Sequence, residues 1–305
     1  MPILPTPSAQ MQGSQSDQPD LITMMEICET AARAGGRVLK EWVGKFAVSN
    51  KGPRDLVTQA DIASQLEIRR ILLGSYPDHG FIGEESLDAS PAASGLHQES
   101  HATLRWMVDP LDGTSNYVHG FPAYCVSVAL ARGDELLVGT IFDPVQNECF
   151  TARVGGGAFL NGHPIKVAGT TAVVDALVAV SFPTHVSVES LAVADFLAVL
   201  PRVHSVRRTG STAINLAYLA CGRLDAFWVR RIACWDVAAG LLIFQEAGGS
   251  IGSFEAESTV SGRVCLDNPV FLAACTPELR RALQQIITPK ALHNDLMKLD
   301  NDQSG

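Results

Sequence analysis

Hydrophobic positions recur at helical spacing in the first part of the chain. Between Ile22 and Leu39, apolar side chains follow one another at intervals of three, four or seven residues, which predicts a helix over residues 21–42. The same spacing predicts a second helix over residues 61–73. Further along, similar apolar stripes predict helices near residues 190–200, 212–221 and 236–247.

The middle of the chain changes to a pattern typical of strands. Two apolar runs, residues 124–131 and 135–142, flank Arg132-Gly133-Asp134, and this arrangement predicts a hairpin. Shorter strands are predicted at residues 105–108, 148–152 and 226–229. Helices therefore come first, then an antiparallel meander, then alternating strands and helices, which predicts a layered α/β fold with mixed sheets.

The composition is that of a folded protein with one large domain. The chain has 305 residues, of which 47% are hydrophobic and 18% are charged, so it can bury an extensive core. We expect this domain to span residues 21–288, between a disordered tail at 1–20 and a polar tail at 289–305. No apolar run approaches the roughly 18 residues that a membrane helix needs, so we expect no membrane association.

The start of the chain and its cysteines indicate a cytoplasmic protein. The first twenty residues lack the basic and apolar regions of a signal peptide. Seven cysteines are scattered without a CxxC pair, and most lie in apolar runs, as expected of reduced thiols in a core. We therefore expect a cytoplasmic location.

The net charge restricts the partners. Lysine and arginine number 23 and aspartate and glutamate 32, which gives a net charge of −9. Nucleic acids and anionic membranes bind basic surfaces, so we expect neither as a partner. An anionic small molecule would need metal ions between it and this acidic protein.

Acidic residues are concentrated in four short segments, each at the boundary of a predicted element. The segments are Asp55–Asp61, Ile82–Ser86, Trp106–Asn116 and Cys234–Gly240. Oxygen ligands of this kind suit Mg²⁺, a hard cation that keeps several of its waters. The four segments therefore indicate a magnesium site.

The third segment is the most informative. Asp109 ends an apolar strand, Pro110 is expected to stop the strand ladder, and Asp112 follows before a turn at Gly113. The two carboxylates and the intervening Leu111 carbonyl can then converge on a pair of cations, with the Thr114 hydroxyl close enough in sequence to hold a water. The alternative is an ordinary Asp-Pro turn, a common structure.

Each of the other segments also has an ordinary explanation. Asp61 and Asp236 could simply cap the helices that follow them, and Glu84 with Glu85 could form a solvated acidic turn. Gly210-Ser211-Thr212 could be a plain helix cap or could direct backbone N–H groups at a phosphate. The glycines at 155–157 lack the lysine of a phosphate-binding loop, so we interpret them as a turn.

Together, the four segments resemble the inositol monophosphatase family of Mg²⁺-dependent, lithium-sensitive phosphatases. The resemblance covers most of residues 21–285, and its most specific parts are Trp106–Asn116 and Trp235–Gly240. It implies a five-layered αβαβα sandwich with mixed, largely antiparallel sheets, and a homodimer. It also implies hydrolysis of a small phosphorylated alcohol, in the first place inositol 1-phosphate.

The resemblance further implies a role for each motif residue, with two or three Mg²⁺ per site. The first Mg²⁺ would bind Glu84, Asp109 and the Leu111 carbonyl, and the second would bind Asp109, Asp112 and Asp236, with Glu85 at a weaker site. The implied catalytic residues are Asp61, Thr114 and Glu84, with Asp61 orienting Thr114 to activate the attacking water. The implied substrate-binding residues are Glu84, Leu111, Asp112, Gly113, Thr114, Gly210, Ser211, Thr212 and Asp236.

One position departs from the family pattern and leaves the substrate open. Inositol-specific members carry a glutamate seven residues before the aspartate of the Trp-Asp pair, where this chain has Val229. Arg230 or Arg231 could instead meet an acidic or second phosphate group, or both could be surface charges. Histidinol-phosphatase and 3′(2′),5′-bisphosphate nucleotidase therefore remain alternatives. A non-catalytic regulatory or binding protein that keeps the fold is the alternative from another class.

Overall fold

The computed structural model describes residues 20–52, 55–85, 102–183, 186–254 and 264–287. Within these ranges the helices are α1 Leu21–Trp42, α2 Gln59–Ser75, α3 Thr114–Val118, α4 Leu191–Val199, α5 Thr212–Ala220, α6 Cys234–Glu246 and α7 Pro277–Ile287. The two predicted tails lie outside the described residues except for Asp20, whose side chain caps α1 by accepting from the backbone N–H groups of Ile22 and Thr23, each at 3.2 Å.

The strands form one large sheet, one small sheet and a separate hairpin. The strands are β1 Val48–Gly52, β2 Asp55–Thr58, β3 Gly80–Gly83, β4 Arg105–Asp112, β5 Cys125–Arg132, β6 Glu135–Asp143, β7 Glu148–Arg153, β8 Ala158–Leu160, β9 His163–Pro164, β10 Leu177–Val180, β11 Ser205–Arg207, β12 Ala226–Val229, β13 Ser250–Gly252 and β14 Phe271–Ala274. The hairpin is β1–β2, and it leads directly into α2.

The large sheet is almost entirely antiparallel. Its strand order is β3-β4-β5-β6-β7-β8-β9, and only the β3–β4 pair is parallel. The predicted hairpin is confirmed as β5–β6, with Gly133 in the left-handed region at φ 58° between the two strands. The small sheet has the order β11-β10-β12-β14-β13, in which β10 pairs in parallel with β11 and β12 and the other pairs are antiparallel.

Three buried clusters stack these sheets and helices into five layers. The first lies between α1, α2 and the large sheet and includes Trp106. The second lies between the two sheets, is filled largely by α5 and α6, and includes Phe227. The third joins the small sheet to α4 and α7 and includes Trp228. Neighbouring strand residues thus enter opposite layers, and the predicted αβαβα sandwich is confirmed.

The parallel strands of the small sheet determine where loops gather. Strands β10, β11 and β12 end at one edge, and the chain leaves this edge at Ser181, Arg208 and Arg230. The edge beyond the carboxyl ends of parallel strands is where α/β proteins bind ligands. The start of α5 lies here and meets the end of β4 from the large sheet.

Two further expectations from the sequence can be compared with the fold. None of the described helices is long and apolar enough to span a membrane. All seven cysteines are free; five are buried, Cys221 is half-buried and Cys265 is exposed. The interpretation as core thiols therefore holds for most of them, and Cys265 is the exception.

Candidate active site

The end of β4 is shaped by a proline within the strand. The sequence predicted that the ladder stops at Asp109, but β4 continues to Asp112, with an irregular register in between. Asp109 faces Ser127 and Asp112 faces Cys125, so three steps on β4 match two steps on β5. The extra residue on β4 forms a bulge. Pro110 is tolerated there because proline has no backbone N–H to donate to the neighbouring strand. The bulge keeps both carboxylates buried at the strand end.

Gly113 turns the chain from β4 into the short helix α3. Its φ of 95° lies in the left-handed region, and a Cβ on this residue would stand 2.8 Å from the carbonyl oxygen of Ala123. Only glycine avoids both the strain and the clash. The turn brings the Thr114 hydroxyl to 3.1 Å from the Leu111 carbonyl oxygen, to which it can donate.

Asp61 lies at the third position of α2 and reaches Thr114 across 53 residues of sequence. Thr58, not Asp61, caps this helix, and its backbone N–H and hydroxyl donate to Asp61 Oδ2 at 2.9 and 2.5 Å. The other oxygen, Oδ1, lies 3.3 Å from the Thr114 hydroxyl. Burial raises the pKa of Asp61 above its ordinary value. The structure thus brings together the predicted pair of Asp61 and Thr114.

Asp112 joins the large sheet to the start of α5. Its Oδ2 accepts from the Ser211 hydroxyl and from the Ala213 backbone N–H, each at 2.6 Å, and its Oδ1 accepts from the Thr212 N–H at 3.2 Å. Burial raises the pKa of Asp112 to about 6, although these hydrogen bonds act in the opposite direction. The N-terminus of a helix favours such an anion.

Asp109 and Asp236 form an acidic pair at the centre of the site. Asp236 lies in the first turn of α6, which Ala233 begins without a side-chain cap. Burial raises the pKa of both carboxyls well above the ordinary value, and the charge of Glu84 raises it further. The charge of Asp236 also raises the pKa of Asp109, and the charge of Asp112 raises the pKa of Asp236. Like charges held together in this way need a proton or a cation between them.

Glu84 and Glu85 follow β3 beside the end of β4. The Glu84 backbone N–H donates to the Val108 carbonyl oxygen at 3.1 Å, which extends the β3–β4 pairing past Gly83. Gln65 on α2 fixes the next residue, because its side chain accepts from the Glu85 N–H at 2.9 Å and donates to the Glu85 carbonyl oxygen at 2.6 Å. The Glu85 side chain is buried, so this segment is not a solvated turn.

The chemistry of these donors fits a divalent cation. Within the described ranges, no three acidic, histidine or cysteine side chains are already arranged to hold one metal ion. Asp112 is instead held by the start of α5, and the pKa values of Asp109 and Asp236 are raised, which favours their protonated forms. Metal binding in proteins displaces protons from acidic ligands. Buried carboxylates with raised pKa values and only oxygen donors are a set that a hard cation can occupy once those protons leave.

The predicted pocket residues 210–212 are held against the segment Trp106–Asn116. Gly210 has φ 84°, and a Cβ there would lie 2.9 Å from the Asn116 side chain. Asn116 donates to the carbonyl oxygens of Ala123 at 2.6 Å and Thr209 at 2.8 Å, so it joins α3 to this loop. The Thr212 hydroxyl lies 3.2 Å from that of Ser181.

Val229, the position that departs from the family pattern, does not lie in the pocket as a substitute for the glutamate expected there. Val229 is buried in the core between the sheets. Arg230 contacts Asp195 on α4, at 2.5 and 2.9 Å, and its side chain is 19% exposed. The suggestion that Arg230 is free to meet a substrate anion is therefore wrong, whereas Arg231 is exposed, as a surface charge would be.

The structure adds three residues that the sequence analysis missed. Thr58 had a signal, because a threonine three residues before an acidic residue is the pattern of a capping box. Gln65 and Ser181 had none, since each acts on a residue at least 20 positions away. The glycines at 155–157 do form a turn, but the N–H groups of Gly155 and Gly157 also bind the Glu246 carboxylate at 2.8 Å each.

Comparison with known proteins agrees with this architecture. An inositol-1-monophosphatase of Rhizobium meliloti (strain 1021) is 40% identical over 227 residues, which cover 73% of this chain and 82% of that relative. A protein of Xylella fastidiosa (strain Temecula1) named Nus factor SuhB is 37% identical over 86% of this chain and 94% of its own. The solved inositol monophosphatase of Anabaena (Nostoc) sp. PCC 7120 has a TM-score of 0.72 and 31% identity, covering 88% of this chain and 96% of its own.

The layered fold is that of a family of phosphatases that work with metal ions. The profile of the inositol monophosphatase family matches residues 20–291, and the chain belongs to that family. It is a hydrolase of phosphate monoesters.

Proposed function

We propose that this protein is a Mg²⁺-dependent phosphomonoesterase whose preferred substrate is inositol 1-phosphate. The observation that carries the proposal is the gathering of buried Asp109 and Asp112 with half-buried Asp236, with the pKa raised in all three carboxyls. The names of the relatives support the same substrate. A homodimer, which rests on the resemblance alone, and a cytoplasmic location, which rests on the unpaired cysteines, are part of this proposal.

The acidic residues would hold two or three Mg²⁺ ions. Glu84, Asp109 and the Leu111 carbonyl would bind one, and Asp112 and Asp236 would join Asp109 at the next, with Glu85 at a weaker position. When bound, Mg²⁺ neutralises phosphate charge and lowers the pKa of water. The carboxylates would then contact an anionic substrate through the bound cations, which explains how a protein with a net charge of −9 could bind it.

Asp61 and Thr114 would move the proton of the attacking water. The Thr114 hydroxyl lies between Asp61 Oδ1 and the Leu111 carbonyl oxygen. It can accept from a water while it donates to Asp61, whose raised pKa makes it a stronger base than an ordinary aspartate. Attack on phosphorus in line with the leaving alcohol then needs no covalent intermediate on the protein.

The remaining pocket residues would orient the substrate. The Gly113 and Thr114 backbone would contact phosphate oxygens, and Gly210, Ser211 and Thr212 would contact the alcohol. Because Val229 cannot accept a hydrogen bond from a hydroxyl, we expect weaker discrimination for a polyol than an acidic residue there would give. Histidinol phosphate and adenosine 3′,5′-bisphosphate therefore stay in the set of candidate substrates.

The relative named Nus factor SuhB carries a name that is not that of a phosphatase, which keeps a second candidate in view, a regulatory or binding protein that retains the fold. A panel of substrates separates the two. We expect Mg²⁺-dependent phosphate release from inositol 1-phosphate to exceed release from histidinol phosphate, adenosine 3′,5′-bisphosphate and fructose 1,6-bisphosphate. A different ranking would replace the substrate, and no release from any of them by folded, Mg²⁺-bound protein would favour the regulatory role.

A further inference from the structure

Two consecutive arginines follow β12; the second, Arg231, is exposed, and the first, Arg230, is held by contacts on several elements. The Arg230 guanidinium donates to both oxygens of Asp195, from Nε at 2.5 Å and from Nη2 at 2.9 Å. Nη2 also donates to the carbonyl oxygen of Ile287 at 3.4 Å, and the group lies 4.1 Å from the ring centre of Phe254. The Asp195 side chain is only 2% exposed. Arg230 thus joins α4, α7 and the end of β12.

The segment that Arg230 anchors leads directly to the acidic cluster. Residues 230–233 connect β12 to α6, and Asp236 lies in the first turn of that helix. Ala233 provides no side-chain cap, and the helix start contacts the large sheet through the Ser127 hydroxyl, which donates to the Trp235 carbonyl oxygen at 3.1 Å. Ile232 and Trp235 pack against the core between the sheets. Arg230 holds the same connection from the opposite face, on the side of α4 and α7.

The chemistry of the Arg230–Asp195 pair is better suited to fixing the orientation of the two side chains than to stabilising the fold. Burying an arginine and an aspartate costs much of the free energy that their attraction returns, and apolar side chains of similar size often stabilise as well. A bidentate pair adds fixed geometry, because the planar guanidinium matches the carboxylate in one orientation. The third hydrogen bond, from Arg230 to the carbonyl oxygen of Ile287, further restricts the orientation of the guanidinium group.

We propose that Asp195 and Arg230 are positioning residues that set the metal-binding end of α6. The pair fixes the backbone between β12 and Asp236, and through it the distance from Asp236 to Asp109. This inference rests on the proposed function, because it takes Asp236 as a metal ligand. Neither residue touches the substrate or the metal ions.

The test compares Asp195→Asn and Arg230→Lys with a matched control. Arg223→Gln breaks a second bidentate pair, to Glu148 at 2.5 and 2.6 Å, at the opposite end of β12. Mg²⁺ binding is measured by calorimetry, and the Mg²⁺ concentration for half-maximal phosphate release is measured alongside. We expect both values to weaken about ten-fold in the two variants, as for residues that orient metal ligands, and to stay unchanged in the control.

Unchanged Mg²⁺ binding in folded Asp195→Asn and Arg230→Lys would overturn the inference. If single variants do not fold, the double variant Asp195→Leu/Arg230→Met replaces the pair by apolar side chains. Restored stability with weakened Mg²⁺ binding supports positioning, and restored binding overturns it. A wild type that binds Mg²⁺ but hydrolyses no monoester contradicts the proposed function alone, because the binding comparison still decides the inference. A wild type that binds no Mg²⁺ overturns both.

Discussion

At the scale of single residues, Asp112 connects the two halves of the site, which are the end of β4 and the start of α5. It closes β4 on the large sheet, and its carboxylate accepts three hydrogen bonds, one from Ser211, which caps α5, and two from the first two residues of that helix. The same side chain therefore orients the pocket loop and, in our proposal, binds a metal ion. A change at Asp112 should affect stability and activity together.

Asp112→Asn should abolish most phosphate release and also weaken the fold. An asparagine has one acceptor oxygen, so its NH₂ group would face the Ala213 or Thr212 N–H and leave a buried donor without a partner. Such a loss costs about 1–3 kcal/mol in the free energy of unfolding, too little to unfold a domain of this size. Urea unfolding and phosphate release measure the two effects. Near-normal turnover would contradict the assignment of Asp112 to the metal site.

Asp61→Asn should remove activity without weakening the fold. The asparagine oxygen can still accept from Thr58, and its NH₂ group can donate to the Thr114 hydroxyl, but the side chain can no longer take a proton. We expect kcat to fall by about 100-fold or more with little change in the thermal midpoint. Asp143→Asn is the matched control, since Asp143 is a buried carboxylate outside the site with a raised pKa. Equal effects of the two substitutions on kcat would disprove the proton role of Asp61.

The turn from β4 into α3 decides the geometry of the site at the scale of elements. Gly113→Ala should lower both stability and activity, because the left-handed φ is strained and the new Cβ would press on the Ala123 carbonyl oxygen. Gly120→Ala isolates the first effect, since Gly120 has φ 68° and open space around a Cβ. Urea unfolding should show a loss of about 1–2 kcal/mol for Gly120→Ala and a larger loss for Gly113→Ala. Equal losses would show that the contact with Ala123 is unimportant.

Long elements with a clear period were predictable from the sequence. The helix over residues 21–42 agrees with α1 at both ends, and the second helix differs from α2 by two residues at each end. Strands of two or three residues, such as β9 and β13, are too short to show a period. The length of β4 was underestimated because the sequence shows Pro110 but not the bulge that accommodates it.

The residue types of the site were predictable, but their mutual contacts were not. Local motifs identified Asp109, Asp112 and Asp236 as candidates. The hydrogen bonds from α5 to Asp112 join residues about 100 positions apart, and the Arg230–Asp195 pair spans 35. No local pattern encodes such contacts, since they arise only when the layers pack.

At the scale of the whole molecule, the acidic cluster makes stability depend on pH and on metal ions together. The pKa values of Asp109, Asp112 and Asp236 are raised in the fold, so the folded state keeps protons that the unfolded chain has released. Stability without metal therefore falls as the pH rises from about 4, the ordinary carboxyl pKa, through about 6 and above. Mg²⁺ replaces those protons, so its stabilising effect should grow with pH.

Thermal unfolding with EDTA or Mg²⁺ at about pH 5 and about pH 7.5 measures this linkage. The rise in the thermal midpoint that Mg²⁺ causes should be larger at the higher pH. A rise that is equal at the two values, or larger at the acidic one, would contradict a metal site built from these three carboxyls.

Phosphate release from inositol 1-phosphate, followed while Mg²⁺ is added, removed with EDTA and added again, tests the central claim most directly. We predict that the wild type releases phosphate only when Mg²⁺ is present and recovers when it is restored. Asp236→Asn should stay inactive at Mg²⁺ concentrations that saturate the wild type. Release that continues in EDTA, or an Asp236→Asn variant as active as the wild type, would contradict the account.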